Sequence, residues 1–202
     1  MALIYNPANN GKDLTGYDCL LTTGYEPDEI ISFTGADYAG NYNRTVQIDG
    51  IYPAVRVNIR HDGFSLSRTI NFEEKIIYNE RFTVKKTGRG LGAGILKSQV
   101  DVAMNAGFEQ IKVFAMGDNQ SLKKWNGYIT WAKLGFTMEG FEENQFNDFL
   151  KLHERNEKNL HQLISTTNGE RLWKENGYSW FGEFVLREDS LNMKLLIEYM
   201  NR

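Results

Sequence analysis

Apolar and polar residues begin to alternate at Pro53. Val55, Val57 and Ile59 share one face while Arg56, Asn58 and Arg60 share the other, which predicts a β-strand. Asp62-Gly63 is hairpin-turn chemistry, and Phe64, Leu66 and Arg68 continue as a second strand to near Phe72. Glu73-Glu74 breaks the pattern before a third run, Lys75 to Val84, so three consecutive antiparallel strands are expected. The period then changes. Ile95, Leu96, Val100, Ala103 and Met104 recur at helical spacing with Lys97, Asp101 and Asn105 opposite, and Gly107 stops this amphipathic helix. Gln110 to Ala115 reads as a fourth strand, which the crossover should make parallel to the third. A helix over Ser121–Leu134, a short strand or turn over Phe136–Phe141 and one long surface helix over Glu142–Ile164 follow. The tail predicts a strand Trp180–Leu186 and a helix from Ser190 to Tyr199. Ahead of Pro53, Asn-Asn-Gly, Gly-Tyr-Glu-Pro-Asp and Gly-Asn-Tyr-Asn are turn-forming, with one short apolar run at Ile30, Ile31 and Phe33, so residues 1 to about 50 read as an irregular layer with one or two short elements.

Composition narrows the class. The 202 residues are 41% hydrophobic and 24% charged, which fits one compact α/β domain over 1–202 and excludes disorder, collagen and coiled coil. With 23 Lys plus Arg against 26 Asp plus Glu, no global basic field attracts nucleic acid or an anionic membrane, so any phosphate binding is local. The single Cys19 excludes an internal disulfide and a multi-cysteine metal site, and His61, His153 and His161 are too scattered to assign a metal. No window approaches the roughly 18 apolar residues of a membrane span, and the start of the chain lacks a basic, apolar leader. A cytoplasmic protein is expected.

The candidate chemistry lies between the third strand and the first helix, in Lys85-Lys86-Thr87-Gly88-Arg89-Gly90-Leu91-Gly92-Ala93-Gly94. Glycines let backbone N–H groups turn inward as an anion nest, and the helix dipole and three cations add to it. A P-loop is excluded because Gly94 runs into Ile95 and Leu96 without the Lys-Ser/Thr pair. A dinucleotide fingerprint is excluded because three antiparallel strands precede the loop and no acidic residue ends the next strand.

The string Thr87-Gly88-Arg89-Gly90-Leu91-Gly92 resembles the pyrophosphate loop of GNAT-type N-acetyltransferases, with Thr87 where Arg or Gln is usual. Trp131-Ala132-Lys133-Leu134-Gly135-Phe136 resembles that family's second motif, with Trp131 where Tyr usually stands. The resemblance covers residues 54–138. It implies a mixed, centrally splayed sheet flanked by helices, with a helical insertion at 142–172. It also implies acetyl-CoA as cosubstrate, its pantetheine along Phe82, Thr83 and Val84 and its diphosphate on Thr87, Gly88, Arg89, Gly90, Leu91, Gly92 and Ala93. No metal is required.

By the same resemblance an acceptor amine attacks the thioester directly, and Glu80 is the candidate base. A carboxylate beside Phe82 would be partly desolvated and its pKa raised. The alternative is a solvated strand residue paired with Arg81 or Arg68. Tyr128 is the candidate acid, against a plain packing role. The insertion roofs the acceptor cleft, forms a homodimer face, or is a solvated helix. Tyr38 to Tyr42 with Asp37, Glu142, Glu143 and Asp148 would line the acceptor side and draw in a small-molecule or peptide amine. The departures at Thr87 and Trp131 keep a second class open, a noncatalytic CoA-binding or assembly module in a bacterial or phage setting.

Overall fold

A computed structural model describes residues 23–39, 44–51, 53–85, 90–121 and 125–201. The chain divides into two compact units, 1–111 and 112–202. Cys19, Gly40 to Tyr42 and the loop residues Lys86 to Arg89 lie outside the described residues.

In the first unit a short helix α1 (Pro27–Ser32) and a 3₁₀ turn (Ala36–Ala39) precede four strands, β1 (Arg44–Ile51), β2 (Ala54–His61), β3 (Phe64–Asn71) and β4 (Ile76–Val84). Each strand pairs antiparallel with the one before it. The three expected strands are therefore present, and the expectation of an irregular layer before them is corrected by β1. Val46 and Ile48 of β1 are buried while Gln47 and Asp49 point the other way, with Gln47 donating to Asp49 at 2.9 Å. One face of the sheet is apolar: Val55, Val57 and Ile59 of β2, and Phe64, Leu66 and Ile70 of β3, are all at most 3% exposed.

Helix α2 (Leu91–Asn105) buries Ala93, Gly94, Ile95, Leu96, Gln99, Val100 and Ala103; of the predicted stripe Ile95, Leu96, Val100 and Ala103 are buried and Met104 is half-buried. Gln99 and Asn79 of β4 exchange two side-chain amide bonds, of 3.0 and 2.9 Å, between buried groups. Gly35, at φ +74°, lies so close to the backbone of Ile95 and Gln99 that no side chain fits there.

Strand β5 (Gln110–Ala115) runs across the boundary between the units. In the second unit β7 (Trp180–Val185) lies between β5 and β6 (Thr137–Met138) and pairs antiparallel with β6. The helix expected over Ser121–Leu134 is shorter, α3 (Gly127–Lys133), because Ser121 belongs to a turn in which its N–H donates to Asp118 at 2.8 Å. The single helix expected over Glu142–Ile164 is also corrected. It is two helices, α4 (Glu143–Leu152) and α5 (Leu160–Ile164), with Glu154 at φ +53° between them and Asn159 capping the second by accepting from Gln162 N. Two further helices are α6 (Thr167–Asn176) and α7 (Leu191–Met200), each started by a side-chain cap, Thr166 and Ser190. Among the described residues, seven strands and their flanking helices make the fold mixed α/β. No helix of the described residues is long and apolar enough to cross a membrane.

Candidate functional site

The register of β3 against β4 shifts between two pairs. Ser67 faces Arg81 and Arg68 faces Asn79, so Glu80 is an extra residue on β4, a β-bulge. In a regular strand Glu80 and Phe82 would share a face. The bulge places them on opposite faces: Asn79 and Phe82 lie toward α2, where Phe82 approaches Gly92, whereas Glu80 lies with the side chains of Ser67 and Thr69.

That geometry reverses the expected electrostatics of Glu80. Its carboxylate accepts from Thr69 at 2.7 Å, from Ser67 at 3.0 Å and from Arg56 at 3.0 Å. Partial burial pushes its pKa up, but the hydrogen bonds from Thr69, Arg56 and Ser67 and the Arg56 charge together hold it below the ordinary glutamate value. The expected raised pKa beside Phe82 is thus corrected, and the ion-pair partner is Arg56, neither Arg81 nor Arg68. At 35% exposed, the side chain of Glu80 remains open to an approaching group.

Arg68 occupies an inward position of β3 and is fully buried. It donates from Nη1 to Arg81 O at 2.9 Å and to Ser67 O at 3.4 Å, and its guanidinium carbon lies 5.0 Å from the centre of the Phe82 ring. Nε and Nη2 have no hydrogen-bond partner among the described residues. Burial pulls its pKa down to about 9 while the Glu80 charge pushes it up, so the group stays charged at neutral pH.

At the start of α2, Gly90 has φ +71° and serves as N-cap with open space where a side chain would stand. Among the described residues no side chain caps this end and no acidic residue sits in the first turn, where the N–H groups of Leu91, Gly92 and Ala93 have no partner within the helix. Phe82 and Val84 flank Gly92, and Thr83 is exposed on the last part of β4. Lys85, one of the three expected cations, donates to His61 O at 3.3 Å. Thr87, Gly88 and Arg89 lie outside the described residues.

Tyr128 belongs to the second unit and is fully buried. Its hydroxyl donates to Lys174 O at 2.8 Å, and its carbonyl accepts from two indoles, Trp173 at 3.1 Å and Trp180 at 2.8 Å. Burial and the Asp118 charge raise its pKa. Of the residues expected on the acceptor side, Tyr38 is exposed, Asp148 pairs with Lys151 at 3.2 Å, and Glu142 is buried and accepts from Phe181 N at 3.0 Å. Glu142 is therefore structural rather than part of an acidic surface. No cluster of metal-binding side chains occurs among the described residues.

The parts of Arg56, Asn79, Gln99 and Arg68 in the site are not evident from the sequence pattern. The available signal was Arg68 itself, a cation at the inward parity of an otherwise apolar face. No protein-family model and no curated protein matches the chain.

Proposed function

We propose that the chain is an N-acetyltransferase that moves an acetyl group from acetyl-CoA to a primary amine by direct attack. The observation that carries this reading is the junction of β4 and α2. A bulged strand presents Glu80 on one face, and beyond the glycine segment the helix N-terminus at Gly90 has no side-chain cap among the described residues. N–H groups at the positive end of a helix favour a diphosphate, and a left-handed glycine without a side chain lets it approach.

In the proposed reaction the acceptor nitrogen attacks the acetyl carbonyl carbon, a C–N bond forms, and the C–S bond breaks to release CoA. Glu80, ionised at neutral pH, first pairs with the acceptor ammonium and takes its proton directly or through a water. The low pKa makes Glu80 a weak base in the free protein, and displacement of water by the bound acceptor would raise it. No acid is assigned to the departing thiolate, because the hydroxyl of Tyr128 is occupied by Lys174 O. The same two features, a Glu80 held low and an engaged Tyr128, favour a second reading as a noncatalytic CoA-binding module.

Calorimetry with acetyl-CoA tests the nest. Asn and Asp both tolerate the left-handed conformation, so Gly90→Asn should keep most of the affinity while Gly90→Asp, which sets a carboxylate against the diphosphate, should lose it. Absence of binding to the wild type, or equal affinity in both variants, rejects acetyl-CoA at this loop.

A further inference from the structure

A guanidinium buried without a carboxylate partner is costly, and substitution by an apolar residue of similar volume would remove that cost. Arg68 stands in that position: among the described residues it is fully buried, in no ion pair with a carboxylate and with Nε and Nη2 unpartnered, the Phe82 ring lies beside its charge, and Glu80 acts on it from the other face. Its two hydrogen bonds are not scattered. They go to the carbonyls of Arg81 and Ser67, the residue pair at which β3 and β4 change register.

We propose that Arg68 is a positioning residue for Glu80: it clamps the backbone of the bulge from the buried face and so keeps the Glu80 carboxylate on the opposite one. A β-strand has a period of two, so a slip by one residue moves a side chain to the other side of the sheet. Without the clamp, relaxation of β4 to regular pairing would carry Glu80 toward the α2 side, away from Thr69, Ser67 and Arg56. Asn79, held to Gln99, fixes the strand on one side of the bulge, and Phe82, packed against Gly92, fixes it on the other. Arg68 supplies the contact at the shift itself. As a statement about catalysis, the inference rests on the reading of Glu80 as the base.

The test compares wild type, Arg68→Met and Arg68→Lys in the full chain by carboxyl ¹³C NMR titration of Glu80, cross-strand nuclear Overhauser contacts, and acetyl-transfer kinetics. In Arg68→Met the Glu80 carboxyl should titrate nearer the ordinary glutamate value and the Ser67–Arg81 contact should be lost. Its kcat should fall by at least about tenfold while the KM for acetyl-CoA stays within about twofold. Arg68→Lys, which keeps one donor, should lie between. An Arg68→Met protein that melts earlier but keeps the register shift and the low Glu80 pKa overturns the proposal, since Arg68 then only stabilises. Should Arg68→Met not fold, an unshifted Glu80 in Arg68→Lys overturns it and an upward shift supports it. If the wild type shows no turnover, the acetyltransferase reading fails while the titration still decides the role of Arg68.

Discussion

The guanidinium of Arg68 donates to the main-chain carbonyl of Arg81 at 2.9 Å, across the point where β3 and β4 change register. This one bond lies beneath Glu80, whose carboxylate is on the other side of the sheet among Thr69, Ser67 and Arg56. The electrostatics of the site thus begin with a backbone irregularity.

Thr69→Val removes the shortest of these hydrogen bonds to Glu80, 2.7 Å, and should raise the Glu80 pKa. The acid limb of the kcat/KM profile should then move to higher pH. The sign of the stability effect follows: a folded-state pKa below the unfolded value contributes stability above the unfolded pKa, and that contribution is lost as pH falls through the folded one. The half-open site keeps the contribution small. An unchanged carboxyl titration in Thr69→Val would show that the bond does not hold the group down.

Asn79 and Gln99 satisfy each other in a buried position between β4 and α2. Replacing either one by Leu leaves a buried amide without its partner, at a cost of about 1–3 kcal/mol. The double substitution should cost clearly less than the sum of the singles, a coupling that urea unfolding of all four proteins would measure. Additive losses would mean that the pair is not coupled.

Tyr128→Phe leaves Lys174 O without its donor and should destabilise the second unit by about 1–3 kcal/mol, read as a lower melting temperature. Acetyl transfer by the folded variant should be unchanged. A selective fall in kcat without loss of stability would restore Tyr128 as an acid.

His161 donates from Nε2 to Phe136 O at 3.0 Å, the tautomer that a carbonyl partner requires, and burial lowers its pKa although the Phe136 bond opposes this. The unfolded chain then takes up a proton near pH 6.5 that the folded chain binds only at lower pH, so stability falls as pH drops below that value. His161→Gln keeps an N–H donor and cannot titrate. Its urea midpoint should change less between pH 7.5 and pH 5 than that of the wild type, and equal changes would exclude His161 as the source.

Alternation and helical period made β2, β3, β4, α2, β5, β7 and α7 legible, because each carries a mainly apolar face, interrupted in β3 by Arg68 and in β4 by Asn79. Strand β1 was hidden because only Val46, Ile48 and Ile51 are apolar in it, while Asp49-Gly50 reads as a turn. The helix expected from Glu142 to Ile164 has apolar residues on both sides of His153–Asn159, and only Asn159 as a cap marks the interruption. At the site, glycine spacing located the start of α2, yet the bulge has no sequence signature. Counting alternate residues along β4 therefore put Glu80 beside Phe82, on the wrong face. Tyr128 is a candidate acid only as the tyrosine one helical turn before Trp131, and its burial and its bond to Lys174 O favour the alternative packing role.

The most direct measurement of the central claim is release of CoA thiol from acetyl-CoA in the presence of a panel of primary amines, with wild type beside Glu80→Gln. The wild type should release thiol in an amine-dependent way, and Glu80→Gln should lose at least about a hundredfold in kcat with acetyl-CoA affinity retained. Thiol release that no amine stimulates, or turnover undiminished in Glu80→Gln, would contradict that claim.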